Sequence, residues 1–257
     1  MGSSYTEYFV QLVDKRTKLA IDDDTGKYIV MTADSAVLAT IYSDNQGTAP
    51  AYVATNVAGT ITNGQIRFFT AASVTSVDLT LLTATGQAVF VSGLTPSQHR
   101  IEIDTEKTEQ LLIFPYYNYI PTPYVSASLT ATASIWGNGL SIPSNSITKD
   151  CWVRTETLGT TQVLNIGVSG TPSGLLQAVT AAATGYHVCQ RGLIATAGTA
   201  AFYLGNLLCT VTGFMDTPYP IGTSTASTGA LVFNTVTVTT LAAATGWVYL
   251  KYELLPV

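Results

Sequence analysis

The stretch Ile61-Thr62-Asn63-Gly64-Gln65-Ile66-Arg67-Phe68-Phe69-Thr70 decides the fold class. Asn63-Gly64 supplies the pair of residues that tolerate positive φ in a tight hairpin turn, whose twist matches that of paired strands. An aromatic-rich run leads away from it. Similar short runs separated by turn chemistry lie on both sides. Residues 8–13, 27–32, 37–42, 65–70, 77–82, 87–91 and 100–104 read as strands, with turns at Asp22-Asp23-Asp24-Thr25-Gly26, Asp44-Asn45-Gln46-Gly47 and Gly86. Strands spaced about 8–12 residues apart predict a sandwich or barrel. The texture continues through residues 125–135, 151–157, 162–168, 186–190, 200–204, 207–212, 230–239 and 247–254. The expected class is all-β: two β-sandwich domains, the C-terminal one jelly-roll-like.

Charge divides the chain. Residues 1–109 hold 7 basic and 12 acidic residues, whereas residues 110–257 hold 4 of each. Between residues 157 and 250 the only charges are Arg191 and Asp216. A monomeric surface needs many more to stay unassociated, so much of this part is expected to be buried against other chains. Residues 1–109 read as one domain and 125–257 as an oligomerisation domain. Between them, residues 110–124 carry Pro115, Pro121 and Pro123 and read as a stiff connector. Ala181-Ala-Ala-Thr-Gly-Tyr186 recurs as Ala242-Ala-Ala-Thr-Gly-Trp247, in each case a turn entering a strand.

Several function classes are excluded on composition. A net charge of −5 argues against nucleic acid, which needs a basic patch; the one basic cluster, Lys15, Arg16 and Lys18, is flanked by aspartates. Residues 192–215 lack charge but are broken by Gly198, Gly205, Asn206 and Gly213, so no membrane span is expected. The first eight residues lack the basic and apolar regions of a secretory signal. Cys151, Cys189 and Cys209 are odd in number and irregular in spacing, fitting small buried hydrophobes rather than disulfides or zinc.

No catalytic, metal or cofactor motif emerges. His99 and His187 are the only histidines, and His99 is expected in a surface turn. Gly26 falls where the third oxygen ligand of a calcium loop belongs, so Asp22–Asp24 read as a charged turn. The chain is therefore expected not to be an enzyme and to use no cofactor. Tyr116, Tyr117, Tyr119 and Tyr124 form an aromatic cluster with three readings: packing of the connector, an intersubunit contact, or a platform for sugars.

The runs Val10-Gln-Leu-Val-Asp14, Ile21-Asp-Asp-Asp-Thr-Gly26, Ala39-Thr-Ile-Tyr-Ser-Asp44, Ile61 to Phe69, Ser76-Val-Asp-Leu-Thr80 and Leu94-Thr-Pro-Ser97 resemble structural proteins of tailed bacteriophages, marine and cyanobacterial ones included. Leu164-Asn-Ile-Gly-Val168 and Gly246-Trp-Val-Tyr-Leu-Lys-Tyr-Glu-Leu254 are similar to their C-terminal β-domains. The resemblance covers most of residues 8–105 and pieces of 160–255. Where such proteins often carry an acidic Asp-Gly-Phe element, this chain reads Ser173-Gly-Leu-Leu176. The resemblance implies a capsid decoration or cement protein, a homotrimer bound to the major capsid protein on the outer surface of the head and made in the host cytoplasm. Val232, Val236, Val238 and Trp247 are then candidates for the trimer core. A second reading is a receptor-binding head or tail fibre whose tyrosines stack on host surface glycans. A third is a polysaccharide-degrading enzyme, which needs two carboxylates about 5–9.5 Å apart in a groove.

Overall fold

Strand alternation in the sequence becomes four hydrogen-bonded sheets in a computed structural model, which describes residues 5–45, 59–117, 140, 142–143, 146–157, 163–168, 171–180, 185–188, 203–204, 219–221, 231–236 and 245–256. The strands are β1 (Tyr5–Asp14), β2 (Lys27–Thr32), β3 (Gly59–Thr60), β4 (Gln65–Ala71), β5 (Val77–Leu82), β6 (Ala88–Leu94), β7 (Gln98–Ile103) and β8 (Glu109–Tyr117). They continue as β9 (Ser146–Thr157), β10 (Val163–Val168), β11 (Thr171–Thr180), β12 (Gly185–Val188), β13 (Tyr203–Leu204), β14 (Tyr219–Ile221), β15 (Leu231–Val236) and β16 (Thr245–Leu254). Among the described residues there is no helix, so none is long and apolar enough to cross a membrane. The fold is all-β.

The sheets run β4-β1-β7, β3-β2-β5-β6, β13-β11-β10-β15 and β12-β9-β16-β8, with β14 also pairing β9. All pairings are antiparallel except β1 with β7. Tyr8 on β1 stacks on its cross-strand neighbour Phe68 at 4.9 Å, and Phe68 in turn reaches Tyr28 of β2 at 6.2 Å. One ring therefore ties a strand pair to a second sheet, adding stacking to the burial of three large side chains.

The turn at Asn63-Gly64 forms as its sequence requires. Both residues have positive φ, 49° and 64°, and Thr62 bridges Gln65 across them. A Cβ on Gly64 would lie 1.9 Å from the Ile21 carbonyl oxygen. Only glycine fits there. Its flanking strands, however, belong to different sheets, so the turn carries the chain between layers rather than closing a simple hairpin.

Asp22-Asp23-Asp24 is a structural turn. The Asp23 carboxylate accepts the backbone N–H groups of Thr25, Gly26 and Ala84, and Asp24 accepts that of Asn63. Short polar side chains favour such turns because they replace missing backbone partners.

Two stretches depart from expectation. Residues 37–42 form only isolated bridges, Met31 with Leu38 and Tyr42 with Phe69. Residues 110–117 of the expected connector are strand β8, which pairs β16 along its length at the edge of its sheet. An edge tolerates Pro115 because no neighbour needs its missing N–H. The buried core is continuous from Tyr8 through Leu112, Phe114, Cys151 and Val153 to Val248, Leu250 and Tyr252, so strands on both sides of residue 109 share it. Cys151 is a buried free thiol in that core; Cys189 and Cys209 lie outside the described residues. The Ser173 to Leu176 segment lies within β11 rather than in a loop.

The repeated Ala-Ala-Ala-Thr-Gly-aromatic element has a geometric counterpart. Gly185 and Gly246 pair with the same residue of β9, Thr155, from opposite sides, and Tyr186 and Trp247 both align with Arg154. The two copies open equivalent antiparallel strands flanking β9.

Replacing Phe68 with Ala removes the ring shared by Tyr8 and Tyr28 and should cost about 3–5 kcal/mol, read as a lower urea midpoint with unchanged slope. Burial also pushes the Tyr28 hydroxyl up to about 12 and that of Tyr252 higher still. A folded-state pKa raised above the unfolded value of about 10 gives stability that is complete below pH 10 and lost as pH rises towards 12. A spectrophotometric titration should therefore show these phenolates forming together with loss of the β-sheet circular dichroism signal; ionisation well before unfolding would contradict their burial.

Candidate functional site

Strand parity builds a cleft on one face of the β12-β9-β16-β8 sheet. On β9, Cys151, Val153 and Thr155 are buried, while Trp152, Arg154 and Glu156 alternate with them on the opposite face. On β16, Val248, Leu250 and Tyr252 point into the core, and Trp247 and Tyr249 take the other side. Register brings Arg154 opposite Trp247 and Trp152 opposite Tyr249, with Tyr249 also opposite Ile113 of β8. Trp152 and Tyr249 stack at 5.4 Å with planes 3° apart.

The second wall comes from the β3-β2-β5-β6 sheet. Its β5-β6 side meets β8, where Thr80 Oγ1 of β5 donates to the Ile113 carbonyl at 2.5 Å and Ala88 N–H of β6 donates to Gln110 Oε1 at 3.1 Å. Phe90 of β6 abuts Trp247 edge-to-face at 5.5 Å. Between these walls lies a cavity of about 260 Å³ lined by Asp34, Asp78, Phe90, Ser92, Ile113, Arg154, Glu156, Trp247 and Tyr249.

Two of its carboxylates anchor backbone. Asp78, buried in β5, accepts the N–H of Asp34 at 3.0 Å on one oxygen and that of Gly93 at 2.8 Å on the other. Glu156 accepts the Trp247 indole N–H at 2.7 Å and the Ala36 N–H at 3.2 Å, with an Arg154 guanidinium nitrogen 3.9 Å away. The turn at 33–37 is thus pinned between two sheets by charge-assisted hydrogen bonds, which are roughly twice as strong as neutral ones. Both oxygens of Asp78 and of Glu156 accept hydrogen bonds, so the pair positions the 33–37 turn against the two sheets. Among the described residues, no three or more His, Cys, Asp or Glu side chains converge as a metal site.

Of the residues singled out in the sequence, Trp247 lines the cleft, and the others that the structure describes lie on β8 and β15. Tyr116 and Tyr117 lie on β8, opposite Gly246 and Thr245. Val232 and Val236 lie on β15, opposite Gly167 and Val163 of β10. Tyr119, Tyr124 and Val238 lie outside the described residues. Trp247 is covered within its own chain by Phe90 and Glu156.

His99 stands on β7 rather than in a turn; its Nε2 is 2.7 Å from the Thr95 carbonyl oxygen and 2.8 Å from Ser97 Oγ. A carbonyl only accepts, so Nε2 carries the proton. Lys15, Arg16 and Lys18 each meet a carboxylate, Asp104, Glu106 and Glu102 respectively. The Thr105 hydroxyl and then the Thr17 N–H hold the Asp14 carboxyl well below the usual range, and Lys18 lowers that of Glu102.

Arg154, Glu156 and Tyr249 sit beside residues the sequence flagged, but nothing in their spacing joins them to Asp34 or Ser92. The one signal available was Asp78, a lone carboxylate inside the apolar run Val77-Asp-Leu-Thr-Leu-Leu82, since a buried charge demands partners.

No family model and no curated protein matches the chain. Among solved structures, a chain described as "Structure of infectious bursal disease virus Gt strain" aligns at 11% identity over 98% of this chain and 65% of that one, with a TM-score of 0.10. The present chain thus spans less than two thirds of that chain's length.

Glu156→Ala would leave the Trp247 indole and the Ala36 amide without their acceptor. Each stranded buried donor costs about 1–3 kcal/mol, so unfolding should shift to lower denaturant, with a change in tryptophan emission that Glu156→Gln largely restores. Equal emission and stability in all three proteins would contradict the anchoring role.

Proposed function

We propose that this chain is a virion structural protein, a decoration or cement protein that binds the outside of a bacteriophage head as a homotrimer and stabilises the shell. The observation that carries the reading is the stretch between residues 157 and 250, with Arg191 and Asp216 as its only charges. Surfaces so poor in charge are typical of interfaces that resemble a core cut in half. Cyclic symmetry turns such a surface into a closed assembly. The resemblance to tailed-phage structural proteins supplies the setting, with the major capsid protein as partner and the head exterior as location. A jelly-roll-like C-terminal domain belongs to the same reading.

The physical task is to bridge neighbouring capsid subunits, adding interface area against the pressure of packaged DNA. In this reading the trimer seam involves Val232 and Val236 of β15 together with Val238, since Trp247 is already covered within its own chain.

Light scattering on the purified chain at several dilutions tests the assembly. A dilution-resistant species near three times 27.1 kDa is expected, and a clean monomer would remove the argument from missing charges. Val236→Asp should place an unpaired charge in the seam and give monomer or aggregate; an intact trimer from that variant would refute the placement. Binding of the trimer to expanded, undecorated phage heads then tests the capsid partner.

A further inference from the structure

We propose that the cleft between β6 and the β9-β16-β8 face is a binding site for a neutral sugar ring. The inference goes beyond assembly, because the cleft is built within one chain and does not require the trimer.

The argument starts from which polar groups the fold has used. Asp78 and Glu156 are occupied by backbone and indole donors. The exposed Asp34 carboxylate and Ser92 hydroxyl, by contrast, line the same cavity with no side-chain hydrogen bond among the described residues. Asp34 sits at a positive φ of 57°, its own N–H tied to Asp78, so its backbone is held at the cleft rim. The part-exposed Arg154 guanidinium brings donors to the opposite wall. Phe90, Ile113 and Tyr249 supply apolar surface, and Tyr249 is fixed by its stack on Trp152.

This combination selects among ligand classes. A simple anion would meet three carboxylates, and a simple cation would find the Asp78 and Glu156 oxygens already taken by N–H donors and the Arg154 guanidinium opposite. An apolar ligand would strand Asp34 and Ser92 without water. A pyranose satisfies all three constraints: vicinal hydroxyls both donate to a carboxylate and accept from a guanidinium, and its C–H face covers an aromatic ring. The volume, about 260 Å³, lies just under the roughly 300–1,000 Å³ of drug-sized sites, which suits one ring rather than a long oligomer. A few hydrogen bonds and one apolar face in so small a site imply a Kd on the order of 1 mM. A trimer would raise the avidity for a polymeric glycan.

The test uses the full chain titrated with glucose, galactose, mannose and N-acetylglucosamine, followed by tryptophan emission and by saturation-transfer NMR. Saturable binding of at least one sugar is expected. Asp34→Gly deletes the carboxylate yet suits the positive φ, and should weaken binding at least about tenfold without lowering the melting temperature. Arg154→Ala should weaken it similarly, and Ser92→Ala less. No saturable binding by any of the four sugars, or binding unchanged in Asp34→Gly and Arg154→Ala, would overturn the proposal. Alanine, choline and acetate serve as zwitterion, cation and anion probes; tighter binding of any of them than of the sugars would also overturn it. Oligomeric state measured on the same samples separates failure here from failure of the trimer reading.

Discussion

Strand β16 is the constraint on which the described core depends. It is hydrogen-bonded along both edges, to β8 on one side and β9 on the other. Its inward side chains, Val248, Leu250, Tyr252 and Leu254, fill the core shared with the first half of the chain. Tyr252 extends further, donating its hydroxyl to the Gly86 carbonyl at 2.5 Å, 166 residues earlier in sequence. Both of its partners lie far earlier in the chain, and such long-range pairing makes folding slow.

The same closure explains why buried polar groups are concentrated at junctions between sheets. Buried Asp23, Asp78, Thr80 and Gln87, and the part-buried Glu156, each tie a turn or strand edge to an element elsewhere in the chain. A carboxylate taken out of water is tolerated only when its oxygens find donors. Here the donors are backbone N–H groups and the Trp247 indole, so the desolvation cost fixes loop geometry. The cleft follows from this arrangement: anchoring the 33–37 turn to Asp78 and Glu156 holds Asp34 at its rim, and packing Phe90 on Trp247 closes its floor.

Assembly and ligand binding, as proposed, overlap in sequence at Trp247 and Tyr249 of β16, which lie within the charge-poor stretch, but draw on different residues. The proposed seam uses Val232 and Val236 of β15, whereas the cleft lies between β6 and the β9-β16-β8 face. A seam must exclude water and a sugar site must stay open to it.

Much of the fold was legible from local chemistry. β2 and β5 have the bounds read from their apolar runs, the Asn63-Gly64 turn has the required positive φ, and the paired Ala-Ala-Ala-Thr-Gly elements enter equivalent strands. Strand β8 was hidden because a proline such as Pro115 is barred only from strands paired on both sides, and whether a strand lies at an edge is not a local property. The cleft was hidden for the same kind of reason. Period-two alternation determines which residues of β9 and β16 share a face, so Arg154, Glu156, Trp247 and Tyr249 could be grouped strand by strand. What brings Asp34, Asp78 and Phe90 against them is register and sheet-on-sheet contact across more than 60 residues of chain. Sequence by itself determined the all-β class, the turns and the uneven charge; the tertiary structure decided which edges meet, because hydrogen-bond register depends on the whole set of competing strands.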